Sequence, residues 1–315
     1  MEETLLPLGK TSLQISALGL GAWAWGDRLV WAYGQGYTDA DIRAGYDASL
    51  AAGINFVDTA EVYGRGRSER LLGGFLKTPG PGAGPVLTFT KFFPLPWRLT
   101  RGALLRALHG SLKRLSLAQV DLYQVHFPTQ PVPVETWAEA LADALDQGLT
   151  RAVGVSNYNT DQMRRASTVL QRRGHVLAAN QVPYSLLDRR VERSGLLQAC
   201  QEMGVTLIAY SPLAQGVLTG KYSPERPLPG MRARRWNREL LRRVQPLLRR
   251  MQEIGAAYDG RSPSQVALNW AICKGTVPIP GAKNARQAQE NAGALGWRLS
   301  ADEVAELDRL SEVAA

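Results

Sequence analysis

Short apolar runs alternate with longer amphipathic stretches along almost the whole chain. The runs at Ala17–Gly21, Asn55–Asp58, Val86–Lys91, Val120–His126, Ala152–Ser156, Ala178–Val182, Thr206–Tyr210 and Thr276–Pro280 read as eight buried strands. Helical periodicity falls between them, over Asp39–Ala52, Ser68–Lys77, Arg101–Leu115, Val134–Gln147, Asp161–Arg173, Val191–Met203, Asn237–Tyr258 and Ser264–Cys273. Two further helices, Ala285–Ala292 and Ala301–Leu310, follow the last strand, and Thr4–Leu8 with Leu13–Ile15 reads as a small N-terminal hairpin.

Apolar strands alternating with amphipathic helices predict a parallel sheet covered on both faces. Eight such units in 315 residues favour an α/β fold of the (β/α)8 TIM-barrel kind, with the N-terminal β-hairpin and the extra C-terminal helices as additions. An open dinucleotide-binding sheet would want G-x-G-x-x-G after its first strand, but Gly19-Leu20-Gly21 runs into tryptophans instead. Thr78–Pro85 reads as a linker between helix and strand, so residues 1–315 form one domain.

Composition removes several classes of function. There is no run of eighteen apolar residues, hence no expected membrane helix. MEETLLPLGK has neither a basic nor an apolar signal region, which predicts a cytoplasmic protein, with a plastid form after removal of a transit peptide as the alternative. Cys200 and Cys273 are too few for a disulfide framework, and three histidines without a cluster supply no metal site. The net charge is +9, and its basic residues are mostly arginine and scattered, with the densest patch at Met231–Arg250. Without a nucleic-acid-binding signature, that stretch reads as a solvated helix face beside a site for an anionic cofactor. No apolar stripe points to an assembly interface, so a monomer is expected.

The chemistry gathers at strand ends, where barrel enzymes keep it. NFVDTAEVYG carries Asp58 and Tyr63, TFTKFF carries Lys91, and LYQVHFP carries His126. A tyrosine with a pKa of about 10 is a poor acid at neutral pH, and an adjacent ammonium lowers that value. Lys91, held by Asp58, would tune Tyr63 as a general acid, and His126 would bind the substrate oxygen. In the second half Ser156, Asn157 and Gln181 could hold a carboxamide, Tyr210 could stack on a nicotinamide ring, and Ser211–Gly216 with Lys221 could wrap a pyrophosphate. Lys283 beside the helix starting after Asn284 makes an anion site. Trp23, Trp25, Trp31, Tyr33, Phe92, Phe93, Trp97 and Phe127 are candidates for an aromatic substrate pocket, with Trp23, Trp31, Phe92, Trp97 and Phe127 foremost.

These motifs resemble the aldo-keto reductase family over essentially the whole chain. GINFVDTAEVYG (Gly53–Gly64), GLTRAVGVSN (Gly148–Asn157), AYSPLAQG (Ala209–Gly216) and IPGAKNARQAQEN (Ile279–Asn291) look like its signatures. The resemblance implies a barrel that binds NADP(H) extended, a small-molecule carbonyl substrate, and the tetrad Asp58, Tyr63, Lys91 and His126. It further implies that Ser156, Asn157 and Gln181 hold the carboxamide and that Tyr210 stacks on the nicotinamide. Ser211, Leu213, Gly216 and Lys221 would line the pyrophosphate. Gly281, Lys283, Gln287, Glu290 and Asn291 would surround the adenosine end, with Arg232 as a further contact. Gly281 and Gln287 stand where many mammalian-type members carry Lys and Arg, which resembles the bacterial, plant and channel-subunit branches. Channel subunits use the same barrel as a redox-sensing regulatory module and lack the tetrad histidine, so His126 favours turnover.

Overall fold

The computed structural model describes residues 5–80, 84–229 and 232–314. Thr4 of the expected hairpin, the middle of the expected Thr78–Pro85 linker and Met231 at the head of the basic stretch lie outside them. The hairpin pairs β1 (Leu6–Pro7) with β2 (Gln14–Ile15). Eight parallel strands follow: β3 (Leu20–Gly21), β4 (Phe56–Asp58), β5 (Leu87–Phe92), β6 (Val120–Val125), β7 (Thr150–Ser156), β8 (Leu177–Pro183), β9 (Thr206–Tyr210) and β10 (Val277–Pro278), each beside the next in chain order. Backbone bonds from Gly19 N to Pro278 O and from Gly21 N to Pro280 O, both 3.0 Å, join β3 to β10 and close the ring. A proline cannot donate to a ladder, so this seam runs one way, from glycine N–H to proline C=O. That is why the first and last strands are shorter than the apolar runs that predict them.

The helices are α1 (Asp39–Ala51), α2 (Arg67–Lys77), α3 (Arg101–Leu115), α4 (Val134–Asp146), α5 (Thr160–Arg172), α6 (Arg190–Arg193), α7 (Leu196–Met203), α8 (Arg232–Arg235), α9 (Arg238–Ala257), α10 (Pro263–Cys273), α11 (Ala285–Ala292) and α12 (Ala301–Ala314). Reciprocal capping boxes start α1 at Thr38, α5 at Asn159 and α10 at Ser262. The helix expected over Val191–Met203 is broken into α6 and α7 by Gly195, whose φ of 72° no helix tolerates.

The barrel interior is layered by the two-residue period of its strands. Phe56, Phe89, Leu122, Ala152 and Ile208 point inward and form an apolar floor, with Phe56 and Phe89 stacked at 4.6 Å. The hairpin plugs this end with Leu8, Leu13 and Ile15, and Gly9 N bonds Thr206 Oγ1 at 2.7 Å. Two residues further along the same strands the inward positions turn polar, with Asp58, Lys91, Gln124 and Gln181 all buried. The apolar floor therefore excludes water from beneath a polar layer at the C-terminal mouth.

A Cβ on Gly21 would stand 2.7 Å from Ile279 O at the closing seam. Gly21→Ala is expected to destabilise the protein by about 1–3 kcal/mol through overpacking. A urea melt with an unchanged midpoint would contradict the seam.

Candidate active site

Asp58 closes β4 and Lys91 is the penultimate residue of β5, so the strand period aims both into the barrel. Lys91 Nζ lies 2.5 Å from Asp58 Oδ2 and donates to Thr59 O at 2.8 Å, with the side chains 0% and 2% exposed. The other carboxylate oxygen of Asp58 accepts from Gln181 Nε2 at 2.8 Å and from Gln124 Nε2 at 3.4 Å. Two of the three ammonium protons are thus committed. Tyr63 follows in the turn Tyr63–Gly66, with Lys91 Nζ 5.1 Å from its ring centroid. His126 directly follows β6, its ring edge-on to Tyr63 at 5.8 Å. The four residues singled out in the sequence converge on one spot.

The electrostatics differ from expectation in one respect. Lys91 was expected to bring Tyr63 down. Instead burial first, then the charge of Asp58, drives the Tyr63 hydroxyl well above its ordinary value. The ammonium is spent on Asp58, and burial lowers the Lys91 pKa itself despite that partner. His126 falls to about 3 through burial and the Lys91 charge, so it is a neutral imidazole at physiological pH. Its Nδ1 is buried without a hydrogen-bond partner. A neutral imidazole can present one N–H to a substrate oxygen but brings no extra proton.

The carboxamide candidates are wired into the frame. Ser156 Oγ donates to Gln181 O at 2.8 Å, and Asn157 Nδ2 donates to His126 O and to Ser156 Oγ, both at 3.0 Å. Tyr210 OH donates to Asn157 Oδ1 at 2.9 Å. Gln181 Oε1 makes no hydrogen bond with another described residue and is the acceptor still free there. Gln124, which the sequence reading passed over, supports Asp58 with one end while its Oε1 is buried unpartnered. Its inward position opposite Lys91 in the β5–β6 ladder was the available signal.

Backbone strain gathers beside these groups. Asn157, Ser211, Ala214 and Gln215 all carry positive φ, between 49° and 63°. Non-glycine residues persist there only where the surroundings over-determine them, and such residues cluster at ligand sites. A cavity of about 240 Å³ lies among Trp23, Tyr210, Ser211, Ala214, Gln215 and Asp188. Leu213 opens the following 3₁₀ turn, and a Cβ on Gly216 would lie 3.9 Å from Lys221 Nζ. Beyond β10, Lys283 N donates to Gln287 Oε1 at 2.9 Å and Asn291 Nδ2 donates to Gly281 O at 3.2 Å. Glu290 is instead taken by Ser262 and turns toward α10. Lys283, Lys221 and Arg232 have no ion-pair partner among the described residues, and burial with the charges of Arg232 and Lys221 lowers Lys283 to about 8.

The aromatic candidates separate. Trp23 is tilted over Tyr63 at 6.5 Å, and Phe127 stacks on His126 at 5.0 Å. Phe93 also meets His126, at 5.4 Å. Phe92 does not belong with them. Because Lys91 points in, Phe92 points out, fully buried against Trp137 of α4 at 5.0 Å. Trp97 is 74% exposed, in a groove against α3. Trp31 leans on Lys283 and Arg232 rather than on the cluster around Tyr63. Trp25 is a core residue whose Nε1 donates to Ala282 O at 3.2 Å, and Tyr33 is tied to Arg67 and Asp39.

An eight-stranded parallel barrel with an acid, a lysine, a tyrosine and a histidine at its C-terminal mouth defines a narrow class of barrel protein. The family model described as Aldo/keto reductase family matches residues 17–312, and the chain belongs to that family of oxidoreductases. It is 42% identical over 306 residues to the chloroplastic pyridoxal reductase of Arabidopsis thaliana, covering 94% of this chain and 83% of that protein. The fold matches a glycerol dehydrogenase from Gluconobacter oxydans with a TM-score of 0.86 at 26% identity, over 98% of this chain and 95% of that one. An aldo/keto reductase from Klebsiella pneumoniae, solved with NADP and acetate, matches with a TM-score of 0.76 at 28% identity, over 98% of this chain and 95% of that one.

Removing one member of the buried pair leaves the other charge stranded. Lys91→Met is expected to cost about 3–5 kcal/mol. Adding Asp58→Asn should restore most of it, since an amide tolerates the site as a neutral group. Thermal melts of the single and double variants measure this, and a double variant no more stable than Lys91→Met would refute the pairing argument.

Proposed function

We propose that this protein reduces aromatic aldehydes with NADPH, Tyr63 giving its hydroxyl proton to the carbonyl oxygen. The observation that carries the reading is the buried Asp58–Lys91 pair beneath Tyr63, with the neutral His126 facing the same ring. NADP(H) fits the residues present. Three unpaired cations, Lys221, Arg232 and Lys283, suit a multiply charged anion. The strained loop at Ser211–Gln215 and the adjoining cavity suit a pyrophosphate, and Tyr210 with Gln181 suits a nicotinamide and its carboxamide. Bound there, the cofactor supplies hydride to the carbonyl carbon.

The protein's own part is positional and electrostatic. His126 orients the carbonyl by one N–H, and Phe127, Phe93 and Trp23 offer flat faces to an aromatic ring. As negative charge grows on the oxygen, it becomes a far stronger base than a phenolate, so even an elevated Tyr63 is a competent acid. The phenolate that remains faces the Lys91 ammonium. The similarity to a pyridoxal reductase makes pyridoxal, an aldehyde on an aromatic ring, the first substrate to test. A regulatory role without turnover would leave His126 without a purpose.

NADPH consumption should be followed with pyridoxal and with 4-nitrobenzaldehyde. Tyr63→Phe is expected to lower kcat by about 10²–10⁴-fold, the usual contribution of a general acid, with NADPH affinity retained. A variant within tenfold of wild type would remove Tyr63 from the role.

The lowered Lys283 predicts a pH dependence. A cofactor phosphate stabilises the ammonium and raises its pKa, so the binding gain is full below about 8 and declines as pH climbs from there toward the higher value of the bound lysine. A phosphate gives up its second charge only above about 6, so preference for NADPH over NADH should peak between those limits. Calorimetric Kd values for both cofactors across pH test it. A preference unchanged through pH 8, or one unaffected by Lys283→Met, would contradict it.

A further inference from the structure

Trp31 lies in the stretch between β3 and α1, far in sequence from the strand ends that carry the cofactor candidates. Yet three segments meet at its ring. Lys283 Nζ lies 4.9 Å from the ring centroid and donates to the Trp31 backbone oxygen at 3.2 Å. The Arg232 guanidinium lies 5.2 Å from the same centroid and donates to Gln215 O at 3.2 Å. Tyr37, from the same stretch as Trp31, places its ring 4.5 Å from Lys283 Nζ.

Two cations close to one another repel, and an indole face offsets that only in part. No carboxylate of the described residues forms an ion pair with either, and only the more distant charge of Asp27 favours the Lys283 ammonium. The indole Nε1 is buried and has no hydrogen-bond partner. A buried donor without an acceptor costs about 1–3 kcal/mol, so one added anion would satisfy the indole N–H and both cations at once. The same indole meets Trp23 edge-on at 5.5 Å, and Trp23 lies over Tyr63. Trp31 therefore stands between the cationic corner and the reacting centre.

We propose that Trp31 is a cofactor-binding residue supplied by the β3–α1 connection, its ring covering the phosphate-bearing part of NADP(H) and its Nε1 donating to a phosphate oxygen. This rests on the placement of the cofactor against Lys283 given above. The anion takes the charge of Lys283 and Arg232 together with the indole N–H, which pins the connection over the cofactor. In that position Trp31 also buttresses Trp23 at the nicotinamide end.

Titration calorimetry with NADPH and with 2′,5′-ADP, which carries the 2′-phosphate and the adenosine 5′-phosphate without the nicotinamide half, tests this on wild type, Trp31→Ala, Trp31→Phe and Lys283→Met. Trp31→Ala should weaken both ligands about tenfold or more, and Trp31→Phe, which keeps a ring but loses the N–H, by about threefold. Thermal melts run alongside. A Trp31→Ala protein with a lowered Tm and both Kd values within twofold of wild type assigns the residue to packing and overturns the proposal. Loss of NADPH affinity with 2′,5′-ADP unaffected overturns it too, since the ring would then face the other half of the cofactor. If Lys283→Met also binds NADPH normally, the cofactor placement itself fails. If Lys283→Met weakens binding and Trp31→Ala does not, only the role of Trp31 falls.

Discussion

The buried ion pair of Asp58 and Lys91 is the constraint around which the mouth of the barrel is arranged. Two charges taken wholly out of water are unfavourable unless every lone pair and proton finds a partner. Here the carboxylate is met by the ammonium and by two amides, and the ammonium by the carboxylate and a carbonyl. Those partners come from β4, β5, β6 and β8, so the pair stitches strands that are not all neighbours. The apolar floor and the hairpin plug below it keep the local dielectric low. That low dielectric explains the rest of the electrostatics. It holds Tyr63 protonated and His126 neutral.

The other half of the mouth is built on the opposite principle. Around Lys283 the charges are left unbalanced, whereas several basic residues elsewhere are matched. Arg250 of the basic stretch is paired with Glu306 and Glu253, and Arg235 lies near Asp188. A chain of net charge +9 thus spends much of its arginine on surface pairs, yet keeps Lys221, Arg232 and Lys283 unpaired in one corner. Unpaired charge and positive-φ residues are both unfavourable in isolation, and Arg232 joins the two by donating to the backbone oxygen of the positive-φ residue Gln215.

Much of this was legible in the sequence. The apolar runs announce the strands, and polar residues at their ends announce the mouth. What escaped was decided across the barrel. Gln181 reads as a carboxamide contact, but its Nε2 is held by Asp58, 123 positions away in the chain. Ser156 and Asn157 are likewise engaged by neighbouring strand ends before any ligand is considered. Phe92 was within reach of sequence reasoning, because an inward Lys91 forces the next residue outward. Trp31 was not, because nothing local says where a long connection will lay a side chain.

The neutrality of His126 bears on how the two halves of the mouth cooperate. An imidazolium there would repel Lys91 and would offer a second proton, blurring which group is the acid. Burial and the Lys91 charge remove that choice, while the stacked Phe127 and edge-on Phe93 fix the ring plane. The ring is thereby reduced to a neutral, oriented polar contact. Its buried Nδ1 without a partner is the cost of that arrangement. A backbone carbonyl at that nitrogen would fix the tautomer but would also make the imidazole more basic. The apolar setting instead keeps it neutral, beside a Tyr63 that lies between the cationic lysine and the aromatic ring of Trp23.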